Sequence, residues 1–240
     1  MRKFGLIGSS LKHSFSKSYF NNKFREENIN DSYELIELNT IDKLKTSIKK
    51  HQLDGFNVTI PFKESIIPYL DKLDPEAKAI GAVNCVRKEK NLLIGYNTDH
   101  FGFEKSLENW LKVENINALI LGSGGASRAI RYTLECNNID YKIVSRKSSI
   151  LNYDNLDEEI IKNHLLIINT TPLGTFPNID DAPDIPYHFL SSKHMLFDLV
   201  YNPSETSFLK QGKRYTSKLK NGQRMLEIQA DKSFEIWTAK

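Results

Sequence analysis

The chain has 240 residues, enough for one large domain or two small ones with a substantial hydrophobic core. Its composition, 40% hydrophobic and 26% charged, excludes a disordered or low-complexity chain. Thirty-three basic and 30 acidic residues are spread along the sequence, so charge gives no support for a nucleic-acid or membrane partner. The apolar runs are far shorter than a membrane span, and the first residues do not resemble a secretory signal. We therefore expect a soluble, cytoplasmic protein.

The two cysteines, Cys85 and Cys136, are far apart and form no CxxC pattern. This spacing indicates neither a disulfide framework nor a metal site, and both side chains are predicted to be small core residues. No group of His, Cys and carboxylate residues has the spacing of metal ligands, so no metal is expected.

The first half of the sequence alternates strand and helix patterns. Short apolar or alternating runs predict strands at residues 4–7, 33–38 and 55–60, and a hairpin from residues 83–87 and 92–96. Amphipathic spacing predicts helices over residues 16–29 and 41–48. A third helix is predicted to start at Asp74, because a capping carboxylate is followed by Pro75 at the first helical position.

The second half reads as a further series of strands and helices. A helix over 101–113 precedes strands predicted at residues 118–121, 142–145, 165–169 and 195–200, with a helix up to residue 136 after the first of them. This order is typical of a mostly parallel sheet with crossover helices. The last helix, 225–237, is expected to return to the first domain, with Phe234 and Trp237 as packing residues. The predicted domains are residues 1–100 and 101–221, with residues 222–240 as the returning segment.

A glycine-rich turn follows the strand at 118–121 and reads GSGGAS at residues 122–127. Between a buried strand and a helix, such a turn lets backbone amides approach a pyrophosphate at the positive end of the helix dipole. Ser127 stands at the third position of the GxGxxG pattern, where Gly or Ala is usual, and an ordinary tight turn is the alternative. The next strand ends in Ser145, Arg146 and Lys147 and has no acidic residue there. This favours NADP over NAD, since a guanidinium suits a 2′-phosphate; a solvated loop is the alternative.

Polar side chains collect at the ends of the strands predicted in the first half. They are Ser14, Ser16, Asn57, Thr59, Lys63, Asn84, Asn97, Thr98 and Asp99. In open α/β sheets these ends line the ligand crevice. Hydroxyls, amides, one ammonium and one carboxylate suit a small polyhydroxylated acid.

The motifs appear in the order found in the shikimate dehydrogenase family, which the chain resembles along nearly its whole length. The motifs are the loop 8–16, NVTIPFK at 57–63, GAVN at 81–84, NTD at 97–99, GSGGA at 122–126, NTTPLG at 169–174 and DLVYNP at 198–203. They are followed by Asn221 and Gly222, and then by Met225, Gln229 and Trp237.

The resemblance implies two α/β domains, an N-terminal substrate domain and a Rossmann-like NADP-binding domain, with the active site in the cleft between them. It implies NADPH-dependent reduction of 3-dehydroshikimate to shikimate, with Lys63 and Asp99 as the catalytic pair and the protein as a monomer or homodimer. The implied substrate contacts are Ser14, Ser16, Thr59, Asn84, Tyr201 and Gln229. The implied cofactor contacts are Gly122, Ser123, Gly124, Gly125, Ala126, Ser145, Arg146, Thr170, Gly222 and Met225.

The chemistry of the pair can also be argued from the residues. Ketone reduction needs a proton for the developing alkoxide, and a lysine ammonium can stabilise that charge and give the proton, with Asp99 orienting it. The alternatives without a role in catalysis or binding are that Lys63 is solvated, that Asp99 is a helix N-cap, and that Ser14 and Ser16 only start a helix.

The sequence also departs from the family pattern. Lys17 replaces a usual Pro, Cys85 replaces a usual Thr, and the segment after Arg146 is short, which weakens the expectation at the adenosine end of the cofactor. Three rival functions stay open: a quinate/shikimate dehydrogenase that prefers NAD, a methylene-tetrahydrofolate dehydrogenase-like enzyme, and a non-catalytic sensor that binds shikimate.

Overall fold

The structure is a computed structural model that describes residues 1–12, 14–108, 110–111, 115–146 and 151–239. The chain forms two compact units, Met1–Thr98 together with Gln229–Lys240, and Asp99–Ile228. Each unit is built on its own β-sheet. The expected α/β class with two domains is confirmed. Over the described residues, no helix has both the length and the apolar character needed to cross a membrane.

The sheet of the first unit has six strands in the part of the chain that the structure describes. They are β1 (Lys3–Gly8), β2 (Ser32–Glu37), β3 (Gly55–Val58), β4 (Lys72–Leu73), β5 (Cys85–Glu89) and β6 (Leu92–Tyr96). Their order is β2-β1-β3-β5-β6-β4. β1 is parallel to both β2 and β3, whereas β5 is antiparallel to both β3 and β6. β5 and β6 form the predicted hairpin.

Helices of the first unit connect these strands. They are α1 (Phe15–Glu26), α2 (Leu44–His51), α3 (Phe62–Ser65) and α4 (Pro75–Ile80). α4 starts as predicted, because the Asp74 carboxylate accepts a hydrogen bond from the Glu76 amide at 3.1 Å and Pro75 needs no donor there. α1 buries Phe20 and Phe24, which lie four residues apart on one helical face.

The second unit contains a parallel sheet in the order β11-β10-β9-β7-β8, counting the strands of its described residues. Its strands are β7 (Ala118–Leu121), β8 (Tyr141–Val144), β9 (Leu166–Asn169), β10 (Met195–Asp198) and β11 (Leu219–Lys220). Its helices are α5 (Asp99–Leu107), α6 (Gly125–Cys136), α7 (Glu158–Asn163) and α8 (Ser207–Gly212). The last helix, α9 (Gln223–Thr238), contributes to both units.

Apolar side chains cover two faces of each sheet. Successive side chains of a strand point to opposite faces, so Phe4 and Ile7 of β1 belong to different clusters. Trp237 of α9 stacks on Phe4 with the ring centroids 4.7 Å apart, and its indole Nε1 donates to the carbonyl of Val86 at 3.0 Å. Trp237 is therefore a packing residue, as predicted.

Several boundaries and one burial prediction differ from the sequence analysis. α5 ends at Leu107, short of residue 113, which lies outside the described residues. The second strand of the second unit covers Tyr141–Val144 and excludes Ser145. The prediction that Cys136 is a core residue was wrong: it ends α6 on an exposed face, whereas Cys85 is buried. Position on the helix, not residue type, decides this exposure.

Candidate functional site

In each unit, the strand order of the described sheet reverses direction as it does at the ligand crevice of open α/β sheets. In the first sheet, β2 lies on one side of β1 and β3 lies on the other; in the second sheet, β8 and β9 flank β7 in the same way. At such a reversal of direction, the loops that follow neighbouring parallel strands diverge, and ligands bind outside the carboxyl ends of those strands. Several of the predicted site residues follow the strands at these two edges.

The segments that follow β1 and β3 carry three of the predicted substrate contacts, Ser14, Ser16 and Thr59. Thr59 follows β3, is half-buried, and its amide donates to the carbonyl of Ile7 at 2.9 Å. Ser14 is the N-cap of α1, and its hydroxyl oxygen accepts from the amide of Ser16 at 3.2 Å. Ser14 therefore caps the helix. This does not exclude a ligand contact, because a capping hydroxyl still has a proton to donate.

Asn84 and Thr98 reach the same edge from the hairpin. β5 is antiparallel to β3, so the start of β5 lies at the carboxyl end of β3. Asn84 directly precedes β5, and its carbonyl accepts from the amide of Val58 at 2.9 Å. Thr98 follows β6, and its amide donates to Asn84 Oδ1 at 2.6 Å. The edge therefore joins four chain segments that are separate in the sequence.

A network of buried side-chain hydrogen bonds links this edge to α9. Asn84 Nδ2 donates to Thr98 Oγ1 at 3.0 Å and to Gln229 Oε1 at 3.2 Å. Asn57 Nδ2 donates to the Asn84 carbonyl at 3.1 Å and to Ser233 Oγ at 2.9 Å. All five residues are less than a tenth exposed. Two predicted substrate contacts, Asn84 and Gln229, are therefore in direct contact with each other.

Tyr33 extends the network to Ser16. Its hydroxyl donates to Asn57 Oδ1 at 2.9 Å and also has a side-chain hydrogen bond with Ser16. Complete burial raises the pKa of Tyr33 well above its ordinary value, and the Ser16 hydrogen bond only partly opposes this. Tyr33 is therefore a neutral donor at neutral pH. The sequence analysis did not assign Tyr33 or Ser233 to the site. Ser233 could have been found from its spacing, because it lies four residues after Gln229 and so on the same face of one helix.

The proposed catalytic residues belong to different units. Lys63 is the second residue of α3 and is half-buried, and its carbonyl accepts from the amide of Val83 at 2.7 Å. This bond fixes the NVTIPFK segment to the GAVN segment. Asp99 is the first residue of α5 and is buried. The structure thus places Asp99 in a helix and not before it.

In the second unit, the glycine-rich turn has the backbone that its sequence predicts. Gly122 has φ of +113°, and a Cβ there would lie 2.7 Å from Thr170 Oγ1. The positive φ and the close approach of Thr170 both require glycine at this position. Gly124 is the exposed N-cap of the 12-residue helix α6, with open space where a Cβ would stand. Thr170 Oγ1 donates to the carbonyl of Leu121 at 2.8 Å, which keeps the turn narrow.

The end of β8 is tied to this turn. Ser145 is buried, and its hydroxyl is 2.9 Å from that of Ser123. Arg146 is exposed at the same strand end and lowers the pKa of nearby Tyr153, which burial raises by more. Lys147, the other predicted cation, lies outside the described residues. A ligand with phosphate groups fits this edge: no acidic side chain lies in the first turn of α6, and Arg146 supplies a positive charge at the end of β8.

The remaining predicted contacts lie around β10 and the start of α9. Tyr201 is half-buried and follows β10, and Met225 is buried in the first turns of α9. Gly222 is buried, and a Cβ there would lie 2.1 Å from the carbonyl oxygen of Leu199. This approach between two backbones requires glycine at position 222.

Asp198 is a buried carboxyl that the sequence analysis placed in a motif without a role. It accepts hydrogen bonds from Thr206 Oγ1 at 2.5 Å, from Asn169 Nδ2 at 2.9 Å and from the amide of Val200 at 3.0 Å. Burial outweighs these hydrogen bonds and raises its pKa to about 6. Asp198 therefore holds β9, β10 and the segment before Tyr201 together.

Across the described residues, no cluster of three or more His, Cys, Asp or Glu side chains is arranged to hold a metal ion. The two crevices instead offer hydroxyls, amides, backbone donors and one guanidinium. Such a set binds a small polar ligand and a phosphate-bearing one.

Comparison with known proteins gives consistent matches. The model of the shikimate dehydrogenase substrate binding domain matches residues 6–86. A shikimate dehydrogenase (NADP(+)) of Methanosphaera stadtmanae is 38% identical, covering 98% of this chain and 91% of that protein. The crystal structure of shikimate dehydrogenase 1 from Peptoclostridium difficile has a TM-score of 0.85 and 38% identity, covering 99% of this chain and 91% of that chain. Shikimate 5-dehydrogenase of Thermus thermophilus, solved with NADP(H) and shikimate, has a TM-score of 0.88 and 29% identity, covering 100% of this chain and 94% of that chain.

Proposed function

This chain belongs to the shikimate dehydrogenase family, and we propose that Lys63 and Asp99 carry out the proton transfer of that family's reaction. The reaction is the reversible NADPH-dependent reduction of 3-dehydroshikimate to shikimate, a step of chorismate and aromatic amino-acid biosynthesis. The chain is an NADP-dependent oxidoreductase acting on a CH–OH group. The observation that carries this function is the near full-length identity to NADP-dependent shikimate dehydrogenases.

The edge of the first sheet binds the substrate in this proposal. Ser14, Ser16 and Thr59 supply hydroxyls, and Asn84 and Gln229 supply amides, all from unit 1. Tyr201 is a further proposed substrate contact, through its phenol. Neutral donors and acceptors of this kind recognise a ring that bears several hydroxyls and a carboxylate. The hydrogen bonds among Asn57, Asn84 and Thr98 hold these groups in place before the substrate arrives, which lowers the entropy lost on binding.

Lys63 gives and takes the proton. The carbonyl oxygen of the substrate becomes an alkoxide as it accepts hydride, and an ammonium hydrogen-bonded to that oxygen stabilises the charge and donates a proton. In the direction of oxidation, Lys63 takes the proton back from the hydroxyl. Asp99 orients both the ammonium and the substrate hydroxyl through its two oxygens.

The edge of the second sheet would hold the NADP cofactor, which in its reduced form supplies the hydride. The 122–126 turn and the first amides of α6 would bind the pyrophosphate, and Arg146 the 2′-phosphate. Ser123, Ser145 and Thr170 fix the shape of the turn. Gly222 and Met225 would lie against the nicotinamide.

The test is an initial-rate measurement with shikimate or quinate, each with NADP⁺ or NAD⁺, following reduced nicotinamide. We expect shikimate with NADP⁺ to give by far the fastest rate. A preference for NAD⁺ would contradict the role of Arg146. Binding of shikimate without turnover would instead favour the sensor function.

The role of Lys63 is tested by Lys63→Ala, matched with Lys78→Ala at an exposed lysine of α4. Loss of an acid/base group costs about 10²-fold in kcat or more. A Lys63→Ala enzyme within a few-fold of wild type would rule out proton transfer by Lys63, and Lys78→Ala should match wild type.

A further inference from the structure

Ser233 lies where three segments of the first unit meet, and its hydroxyl is fully buried. Its Oγ donates to the main-chain carbonyl of Gln229 at 2.9 Å. It accepts from Asn57 Nδ2 at 2.9 Å and lies 3.1 Å from Thr98 Oγ1. With its own proton on Gln229, Ser233 can accept a hydrogen bond from Thr98, whose hydroxyl also lies 3.3 Å from Asn84 Oδ1 and 3.3 Å from Gln229 Oε1. A serine hydroxyl has one donor and two acceptor positions, so Ser233 has a partner for each of them.

The direction of the neighbouring amide groups follows from one backbone donor. The amide of Thr98 can only donate, so the Asn84 atom 2.6 Å away must be the oxygen Oδ1. The –NH2 group of Asn84 then faces Gln229, and the Gln229 atom that it meets at 3.2 Å must be the oxygen Oε1. The –NH2 end of Gln229 is therefore turned away from Asn84.

We propose that Ser233 is a positioning residue for substrate binding. It holds α9 so that Gln229 keeps its oxygen on Asn84 and offers its –NH2 group as a hydrogen-bond donor to the substrate. Gln229 lies one helical turn before Ser233, so a shift of Ser233 moves Gln229 with it. The inference rests on the proposed function, in which Gln229 touches the substrate.

The test is a double-mutant cycle of Ser233→Ala and Gln229→Ala, with Ser47→Ala as the matched control. Ser47 is a second buried serine of the first unit, on α2, away from the network. Losing one hydrogen bond to a neutral group costs several-fold in affinity. We therefore expect Ser233→Ala to raise KM for shikimate about five-fold, with kcat and KM for NADP⁺ within about two-fold of wild type. Ser47→Ala should leave all three unchanged.

The cycle separates positioning from general stability. If Ser233 acts through Gln229, adding Ser233→Ala to Gln229→Ala raises KM for shikimate by less than about two-fold more. The inference would be overturned if the effects of the two substitutions on KM for shikimate multiplied in the double variant. It would also be overturned if Ser233→Ala left KM for shikimate unchanged, or raised KM for NADP⁺ in parallel. Absence of turnover in wild type would contradict the proposed function and not this inference. The same cycle would then be run on the Kd for shikimate from calorimetry, and absence of shikimate binding would overturn both.

Discussion

Replacing Asp198 with asparagine should change how stability depends on pH. The carboxyl of Asp198 is fully buried, and burial raises its pKa from 3.8 to about 6. A folded-state pKa above the unfolded one means that the native protein keeps a proton that the unfolded chain has already lost. The free energy of unfolding therefore falls as pH rises from about 4 to about 6. Two pKa units correspond to about 3 kcal/mol.

Asp198→Asn keeps the shape of the side chain and removes the loss of stability that accompanies ionisation of the buried carboxyl. Asparagine Oδ1 can accept from Val200 and Asn169 as the carboxylate does, while its –NH2 group donates to Thr206 in place of accepting from it. The variant therefore has no proton to lose at this position. Between pH 4.5 and 7.5 we expect the stability of wild type relative to Asp198→Asn to fall by about 2 kcal/mol.

Urea unfolding of both proteins across this pH range measures the difference, in which other titrating groups cancel. Asp180→Asn, at an exposed carboxylate, serves as the matched control for replacing an aspartate with asparagine. A difference between wild type and Asp198→Asn that stays constant with pH would refute the argument. So would wild type gaining stability relative to the variant as pH rises, since that is the behaviour of a carboxylate stabilised in the folded state.

Three further variants test separate parts of the structure. Gly222→Ala should lower the free energy of unfolding by about 1–3 kcal/mol and raise KM for NADP⁺, because the new Cβ would lie 2.1 Å from the carbonyl oxygen of Leu199. Wild-type stability in urea together with a wild-type KM would contradict this. Arg146→Gln should raise KM for NADP⁺ about 10-fold or more and leave KM for NAD⁺ nearly unchanged, because a charge-assisted hydrogen bond to phosphate is lost; equal effects on both cofactors would exclude a 2′-phosphate contact. Trp237→Phe leaves the carbonyl of Val86 without its indole donor and should cost about 1–3 kcal/mol in urea unfolding, and a smaller loss would mean that water replaces the donor.

The sequence predicted the features that depend on local structure. The helix start at Asp74 and Pro75 follows from a capping carboxylate and a fixed φ, both within three residues of the helix. The strand at 118–121 and the turn after it follow from an apolar run that meets glycines, and Gly122 adopts the positive φ that only such a residue favours. Motif order predicted the family in the same way, because each motif is a short contiguous segment.

The contacts that build the site were decided by the tertiary structure. Asn84 and Gln229 are 145 residues apart in the chain, and nothing local shows that one amide holds the other. The raised pKa of Asp198 depends on burial in the folded second unit. Exposure of Cys136 depends on which face of α6 meets the sheet. Hydrogen-bond partners and burial come from packing between distant segments, whereas residue patterns report only on neighbours along the chain. The sequence by itself therefore determined the family and the fold class, and the tertiary structure determined which of the predicted site residues hold one another in place.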